Sequence, residues 1–246
     1  MPAAEKPIAS VWTRPRRGRE QLSREQIVAE AVRLLDADGL ESLSMRKLGT
    51  RLDAGATSLY RHVANKDELI ELVVDEVYGE LDFPAADTAD WRTAAARSAQ
   101  SLRAMILRHP WVASVLGQVG LIHLGPNVTR MSERMTSVYA TAGFPPDETG
   151  QAMRTVIAYV IGMATSEAAY LSLIARSGVS EQEFAQNLPS DKGGADGDGD
   201  GDGDGDGDGD GDLKVGNPER ARDEGFDYGL QRVLDGLEVR LGRATP

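Results

Sequence analysis

Residues Ser44 to Lys66 read SMRKLGTRLDAGATSLYRHVANK, two short helices joined by a tight turn and followed at once by a third, capped helix. Ser44 is a good N-cap for a helix over Met45 to Arg51, in which Met45, Leu48 and Leu52 point the same way. The turn Asp53-Ala54-Gly55 places a glycine where a positive φ is cheap. The helix expected from Thr57 to Val63 is too short to be stable alone, so it depends on packing Leu59 and Val63 against its neighbours. Asn65 caps the next helix, Lys66 to Leu81, Glu68 completes a capping box, and Leu69, Leu72, Val73 and Val77 share a face. Upstream, Ser23 and Gln26 form the same box ahead of a helix whose apolar face is Ile27, Ala31, Leu34 and Leu35, and Gly39 closes it.

A short helix crossing another at a steep angle and exposing small polar and cationic residues suits insertion into the DNA major groove. The exposed set is Thr57, Ser58, Tyr60, Arg61 and His62. Arg61 can read guanine through a fork of two hydrogen bonds, Tyr60, Ser58 and Lys66 can hold phosphates, and the methyls of Ala56 and Thr57 can touch thymine. A small helical bundle with a solvated polar face has the same pattern.

Residues 23–70 resemble the DNA-binding domain of the TetR family of bacterial transcriptional regulators. That family's signature is T-x-R-x-L-A-x-x-L-G-V followed by a short helix with L-Y-x-H-F/V-x-N-K and E-L. This chain offers Ser44-Met45-Arg46-Lys47-Leu48-Gly49-Thr50-Arg51-Leu52-Asp53-Ala54, then Leu59-Tyr60-Arg61-His62-Val63-Ala64-Asn65-Lys66-Asp67-Glu68-Leu69. The resemblance implies that Ser44, Arg46 and Lys47, at the start of the second helix, meet the DNA backbone, that residues 56–62 enter the groove, and that Lys66 serves a phosphate. Two departures stand out. Met45 replaces a residue that is often a phosphate-bonding hydroxyl, and Asp53-Ala54 replaces Gly-Val, which suggests a differently shaped turn.

A net charge of -12 and a pI near 4.8 look wrong for a nucleic-acid binder. The charge is unevenly placed: residues 1–70 hold 12 Lys plus Arg against 10 Asp plus Glu, while nine Asp alternate with eight Gly over 196–212. That tract cannot bury enough surface to order itself, so a disordered loop is expected over 190–215. It resembles a calcium loop only superficially, because the closing bidentate Glu is missing. The segment before residue 23 (1–22) reads as a flexible basic arm; Arg14-Pro15-Arg16-Arg17-Gly18-Arg19 within it suits an adjacent minor groove or plain solvation. Trp12 has no account. With 246 residues, no cysteine, no secretory signal and no apolar run of spanning length evident, the expectation is a cytoplasmic protein without membrane, disulfide or thiolate chemistry.

The remaining chain reads as helices over 91–108, 126–142, 148–176 and 219–241, with an apolar, glycine-punctuated segment at 111–124. The fold class is therefore all-α: a helix-turn-helix headpiece over 23–70 and a larger helical domain over 71–246 for ligand binding and dimerisation. Val156, Val160, Ile161, Phe226, Leu230, Val233, Leu234 and Leu237 give the last two helices wide apolar coverage. That coverage fits a four-helix bundle shared with a second copy, with an intrachain core as the alternative. Gly225-Phe226-Asp227-Tyr228-Gly229-Leu230 and the Trp91 helix with its His109-Pro110 end are similar to the tetracycline-repressor branch.

The resemblance implies a small molecule among the central helices that shifts the helix after the reading helix and spreads two headpieces off operator DNA. Candidate pocket residues are Leu102, Met105, Ile106, Trp111, Leu116, Met135, Tyr139, Met153, Ile157 and Tyr170, with His123 and Glu167 as polar anchors. The branch's amide, phenylalanine and metal-binding histidine align with Ser98, Leu102 and Leu116, so neither tetracycline nor magnesium carries over; no metal or cofactor is expected, and the effector is expected to be hydrophobic. Three histidines without catalytic or ligand spacing argue against an enzyme. A ligand-blind architectural dimer or an activator are the alternatives to a repressor.

Overall fold

The computed structural model describes residues 22–84, 90–116, 125–186 and 217–244. The basic arm, the Asp/Gly tract and His123 lie outside the described residues, as does the side chain of Leu116. Among the described residues the chain is α-helical without strands: α1 Arg24–Asp38, α2 Met45–Arg51, α3 Ala56–Leu59, α4 Lys66–Tyr78, α5 Trp91–Arg108, α6 Trp111–Leu116, α7 Pro126–Thr141, α8 Pro146–Ser177, α9 Glu181–Gln186 and α10 Pro218–Ala244. It divides into two compact units, Met1–Val73 and Val74–Pro246, with the boundary inside α4.

In the first unit, the caps form where local sequence places them, except that the Glu68 carboxylate accepts from Ala64 N–H at 2.6 Å instead of closing the expected box on Asn65 N–H. Gln26 N–H donates to the Ser23 hydroxyl at 3.2 Å and Ser23 N–H to Gln26 Oε1 at 3.0 Å, which closes the box ahead of α1. Gly39 ends α1 at φ 76°, donating its N–H to the Leu35 carbonyl. Lys47 N–H donates to the Ser44 hydroxyl at 3.1 Å, and Glu68 N–H to the Asn65 side chain at 2.8 Å. Ile27, Ala31, Leu34, Leu48, Leu59, Val63 and Leu69 are buried together as the core.

The turn departs from expectation. Gly55 has an ordinary φ of -66° and stands as the N-cap of α3, while the positive φ of 48° falls on Asp53, a residue type that tolerates the left-handed region. The glycine that matters is Gly49 in α2: a Cβ there would sit 2.7 Å from the Ala54 carbonyl oxygen. Close approach of the turn to α2 thus uses glycine in the helix and aspartate in the turn. Met45 is buried, so its position belongs to the core and has no phosphate-facing side chain to lose. α3 is one turn, shorter than the expected Thr57–Val63; Val63 N–H still donates to the Leu59 carbonyl at 3.0 Å.

In the second unit α8 packs on α5, α7 and α10. α5 presents Ala94, Ala95, Ser98 and Ala99, small buried residues that let the bulkier neighbours close in. Trp91, Tyr139 and Phe144 form an aromatic cluster in which Phe144 meets each of the other two rings edge-on, the Trp91 and Phe144 rings 5.4 Å apart. The Asp75 carboxylate caps α7, accepting from Asn127 N–H at 2.9 Å and Val128 N–H at 3.1 Å, and Asn127 Nδ2 donates back to the Asp75 carbonyl at 2.9 Å. A Cβ at Gly125 would collide with that carboxylate. α4 stops at Tyr78, ahead of Gly79, rather than at Leu81. α8 and α10 begin at Pro146 and Pro218, first-turn positions where a missing N–H costs nothing.

The short helix α9 has no counterpart in the periodicity reading. Its signal was present as Ser180-x-x-Glu183: Glu183 N–H donates to the Ser180 hydroxyl at 3.2 Å and Ser180 N–H to the Glu183 carboxylate at 2.8 Å. α8 also revises the expectation of no spanning-length apolar run. One 18-residue window of it has mean hydropathy 1.4 with only 22% buried, enough by length and composition to cross a membrane.

Candidate functional site

Buried Leu59 and Val63 anchor α3 and the turn after it, and the alternate residues are thereby turned outward. Thr57, Ser58, Tyr60 and Arg61 are exposed, Tyr60 by 52%, while Ala56 and His62 are half-buried. An aromatic ring so exposed without covering hydrophobic neighbours is costly in water and useful against another surface. Arg24 Nε donates to the His62 carbonyl at 3.3 Å, which ties the start of α1 to the end of this turn.

The cations fall into separate groups. Arg46 and Lys66 are exposed, and neither they nor Arg61 form an ion pair among the described residues. Lys47 lies 3.0 Å from Asp38, and Arg51 donates to Glu30 at 2.6 Å. Partial burial pushes the Glu30 carboxyl up, but hydrogen bonds from Arg33 and Arg51 outweigh it and hold the group below its ordinary pKa. Ser44 spends its hydroxyl on the α2 cap. Sequence spacing had no means of linking Glu30 to Arg51, since they meet only when α1 and α2 pack. An open groove of about 880 Å³ runs beside α1, lined by Gln26, Arg33, Asp53, Ser58 and Arg61. Its walls mix these polar groups with Leu22, Ala29, Leu52 and Ala54, and its openness to solvent sets it apart from an enclosed small-molecule site.

The second unit holds a cavity of about 20 Å³ between α5, α7 and α8. Of the residues expected to line a pocket, it brings together Leu102, Met135 and Ile157, and it adds Phe83, Ser98 and Met131. Met105, Ile106, Trp111 and Tyr139 are buried but do not line it, and Met153 is half-buried. Ser98 donates its hydroxyl to the Ala94 carbonyl at 2.8 Å. The Tyr139 hydroxyl is buried with no hydrogen-bond partner among the described residues, and burial pushes its pKa up.

Glu167 sits in an ion network. Arg103 grips it with two hydrogen bonds of 2.7 Å, Arg222 Nε adds one of 3.0 Å, and Arg103 also reaches Asp223 at 2.8 Å while lying over the Phe226 ring. Arg222 pairs as well with Glu181, and Tyr170 packs edge-on against Phe184, which docks α9 on its neighbours.

The apolar residues of α8 and α10 divide into an inner and an outer set. Val156, Val160, Phe226, Leu230 and Leu234 are buried within the single chain, whereas Ile161, Val233 and Leu237 are half-buried. Gly229 serves the inner packing, since a Cβ there would strike the Tyr159 ring. The outer faces expose Met163, Leu173, Tyr228 and Val239, the last two by 68% and 56%. Gly162 and Gly236 have open space where a Cβ would stand.

Comparison with known proteins agrees with this two-unit division of labour. Residues 27–73 match the tetR family of bacterial regulatory proteins, and residues 83–189 match the tetracyclin repressor-like C-terminal domain. An HTH-type transcriptional regulator of Saccharopolyspora erythraea is 40% identical over 164 residues, 65% of this chain and 69% of the relative. The HTH-type transcriptional repressor DrrR1 of Streptomyces coeruleorubidus is 34% identical over 242 residues, 95% of this chain and 85% of the relative. The crystal structure of Streptomyces coelicolor ActR in complex with actinorhodin is similar with a TM-score of 0.66 at 26% identity, covering 90% of this chain and 99% of that one.

Proposed function

The chain belongs to the tetR family of bacterial regulatory proteins, DNA-binding transcriptional regulators rather than enzymes, and from that premise we propose that it is a homodimeric repressor released from a palindromic operator by a small hydrophobic effector. The observation that carries the DNA reading is the outward set Thr57, Ser58, Tyr60 and Arg61 on a one-turn helix pinned from behind by Leu59 and Val63. Arg61 reads a base edge, the methyls of Ala56 and Thr57 meet thymine, and Ser58, Tyr60, Arg46 and Lys66 hold phosphates and fix register. Ser44 acts by shaping the α2 terminus, and His62 by the carbonyl that Arg24 holds.

Dimerisation rests on the outer faces of α8 and α10, where Tyr228, Val239, Met163 and Leu173 are left uncovered and Gly162 and Gly236 admit a close neighbour. This also accounts for a spanning-length apolar helix in a DNA-binding regulator: the uncovered side of α8 meets protein, not lipid. Two copies so joined present their reading helices to half-sites about 34 Å apart.

The effector enters the α5, α7 and α8 cavity, whose walls are apolar and whose Met131 and Met135 are the unbranched side chains best able to move aside. Repression and ligand response are supported by DrrR1, a repressor, and by ActR, whose structure holds actinorhodin. A ligand-blind DNA-binding dimer is the second reading. The observation in its favour is the cavity volume of about 20 Å³, against the roughly 300–1,000 Å³ usual for ligand pockets.

Fluorescence anisotropy tests the proposal: the protein is titrated onto DNA flanking its own coding region and onto scrambled DNA, each at two salt concentrations. Tight, sequence-dependent binding with two protomers per site supports it, and a compound that lowers this affinity decides for the ligand-responsive reading. Weak binding that disappears with salt regardless of sequence refutes a specific regulator and leaves an architectural protein.

A further inference from the structure

The headpiece residues 22–73 carry seven Lys plus Arg against nine Asp plus Glu, a slightly negative balance for a surface that meets DNA. The placement of those acids is orderly. Glu30 and Asp38 are two turns apart on one side of α1, and Lys47 and Arg51 are one turn apart on α2. They meet as a ladder: Lys47 Nζ to Asp38 at 3.0 Å, Arg51 Nε to Glu30 at 2.6 Å, and Arg51 Nη1 to Asp38 at 3.8 Å. Glu30 is anchored further by Arg33 at 2.9 Å. Arg46, between the caps and the ladder in sequence, takes no part in it.

We infer that this ladder withholds Lys47 and Arg51 from the DNA backbone, so that Asp38 and Glu30 set the ratio of sequence-specific to indiscriminate binding. The inference rests on the DNA-binding reading above. Every phosphate neutralised by a cation releases counterions and adds affinity for any sequence alike. A cation already paired must give up its carboxylate to do so, and that carboxylate remains beside the phosphate and repels it. Arg61, Arg46 and Lys66 are outside the ladder, and they retain base reading and register. Sequence-blind affinity is thereby reduced at little cost to recognition, which matters because competing sites in a genome vastly outnumber the operator. The ladder itself adds little stability, because Lys47 and Asp38 are both well exposed. Asp38 also sits at the C-terminal end of α1, where a negative charge opposes the helix dipole, so its neutralisation does not threaten the fold.

The test compares Asp38→Asn, Lys47→Gln, the double variant and Arg46→Gln for binding to a scrambled duplex and to the flanking-region duplex across a salt series. Asp38→Asn is expected to bind the scrambled duplex about 3- to 10-fold tighter at low salt, with a log–log salt slope steeper by about 0.9 for each cation freed. Its preference for the flanking-region duplex falls accordingly. In the double variant the gain disappears, whereas Arg46→Gln weakens binding to a similar degree with or without Asp38→Asn. Melting temperatures identify any loss of fold, and Asp38→Ser serves as a second neutral variant. An unchanged scrambled-duplex affinity in both neutral variants overturns the inference, as does a gain that survives removal of Lys47. Failure of the unaltered protein to bind either duplex overturns the DNA-binding reading together with the inference, whereas intact binding insensitive to Asp38 overturns the inference alone.

Discussion

At Arg61 and Tyr60 the exposed side of α3 makes a direct claim on affinity. Arg61→Ala and Tyr60→Ala are each expected to weaken operator binding by about 1–3 kcal/mol without altering the circular dichroism of the protein. Operator titrations indistinguishable from those of the unaltered protein would remove both residues from the interface. Gly49 makes a claim on the fold instead. The Cβ of Gly49→Ala would meet the Ala54 carbonyl oxygen at 2.7 Å, a backbone atom that cannot swing away, and the expected loss is about 1–3 kcal/mol in urea unfolding. The serine and asparagine caps at Ser23, Ser44 and Asn65 were legible because a cap involves residues within four of each other. The left-handed residue was not: glycine was the natural choice at position 55, and the structure uses Asp53. That choice depends on how the turn settles against α2, which local sequence does not encode.

Between elements, α5 is tied to α10 by Arg92, which reaches Asp235 at 2.7 Å, Gln231 at 2.9 Å and Glu238 at 2.6 Å. Asp90 caps α5, and hydrogen bonds from the Thr93 hydroxyl and backbone N–H hold its carboxyl below the usual 3.8. A carboxyl depressed on folding contributes stability that is complete above its unfolded pKa and is lost as pH falls through the folded one. The melting temperature should therefore be level down to about pH 5 and decline below about pH 4. Asp90→Asn keeps a competent cap and drops the charge, so its acid decline should be shallower; parallel declines would mean that the charge contributes nothing. The longer helices were legible from periodicity to within a few residues, and the Trp91–Arg108 boundaries needed no revision, whereas the six-residue helices α6 and α9 were not read as helices. Assigning faces to partners was harder. Leu234 is apolar and periodic, and it is wholly buried within its own chain, so a charge there would wreck the fold and report nothing about association. Tyr228→Arg and Val239→Arg on the outer face are the informative changes. Sedimentation should show monomers with unchanged helix content, and persistent dimers would place the interface elsewhere.

For the whole molecule, the acidity that seemed at odds with nucleic acid resides largely in nine aspartates between 196 and 212. On either side of that tract the chain is fastened, α9 to α10 by Glu181 and Arg222 and to α8 by the Phe184 and Tyr170 rings. Closing a loop between fastened ends depends weakly on its length, about 0.6 kcal/mol for each doubling. Deleting 196–212 should accordingly leave the melting temperature nearly unchanged in calorimetry; a fall of many degrees would mean that the tract contributes to packing. The proposed effector region was the least legible part. An apolar helix face looks the same in sequence whether it lines a cavity or fills a core, and among the described candidates Leu102, Met135 and Ile157 alone come to the cavity wall.

The cap that Asp75 places on α7 has a consequence for anyone recombining this protein with its relatives. Carboxylate, backbone amide and the bare α-carbon of Gly125 fit as one piece, although fifty residues separate them in the chain. A chimera with its crossover between α4 and α7 would inherit one half of that joint from each parent. A methyl group brought in at position 125 would displace the carboxylate, and a shorter side chain at 75 would leave the amides of α7 bare. Crossovers placed before residue 75 or after residue 128 keep the joint whole, and those are the breakpoints at which hybrid regulators should fold.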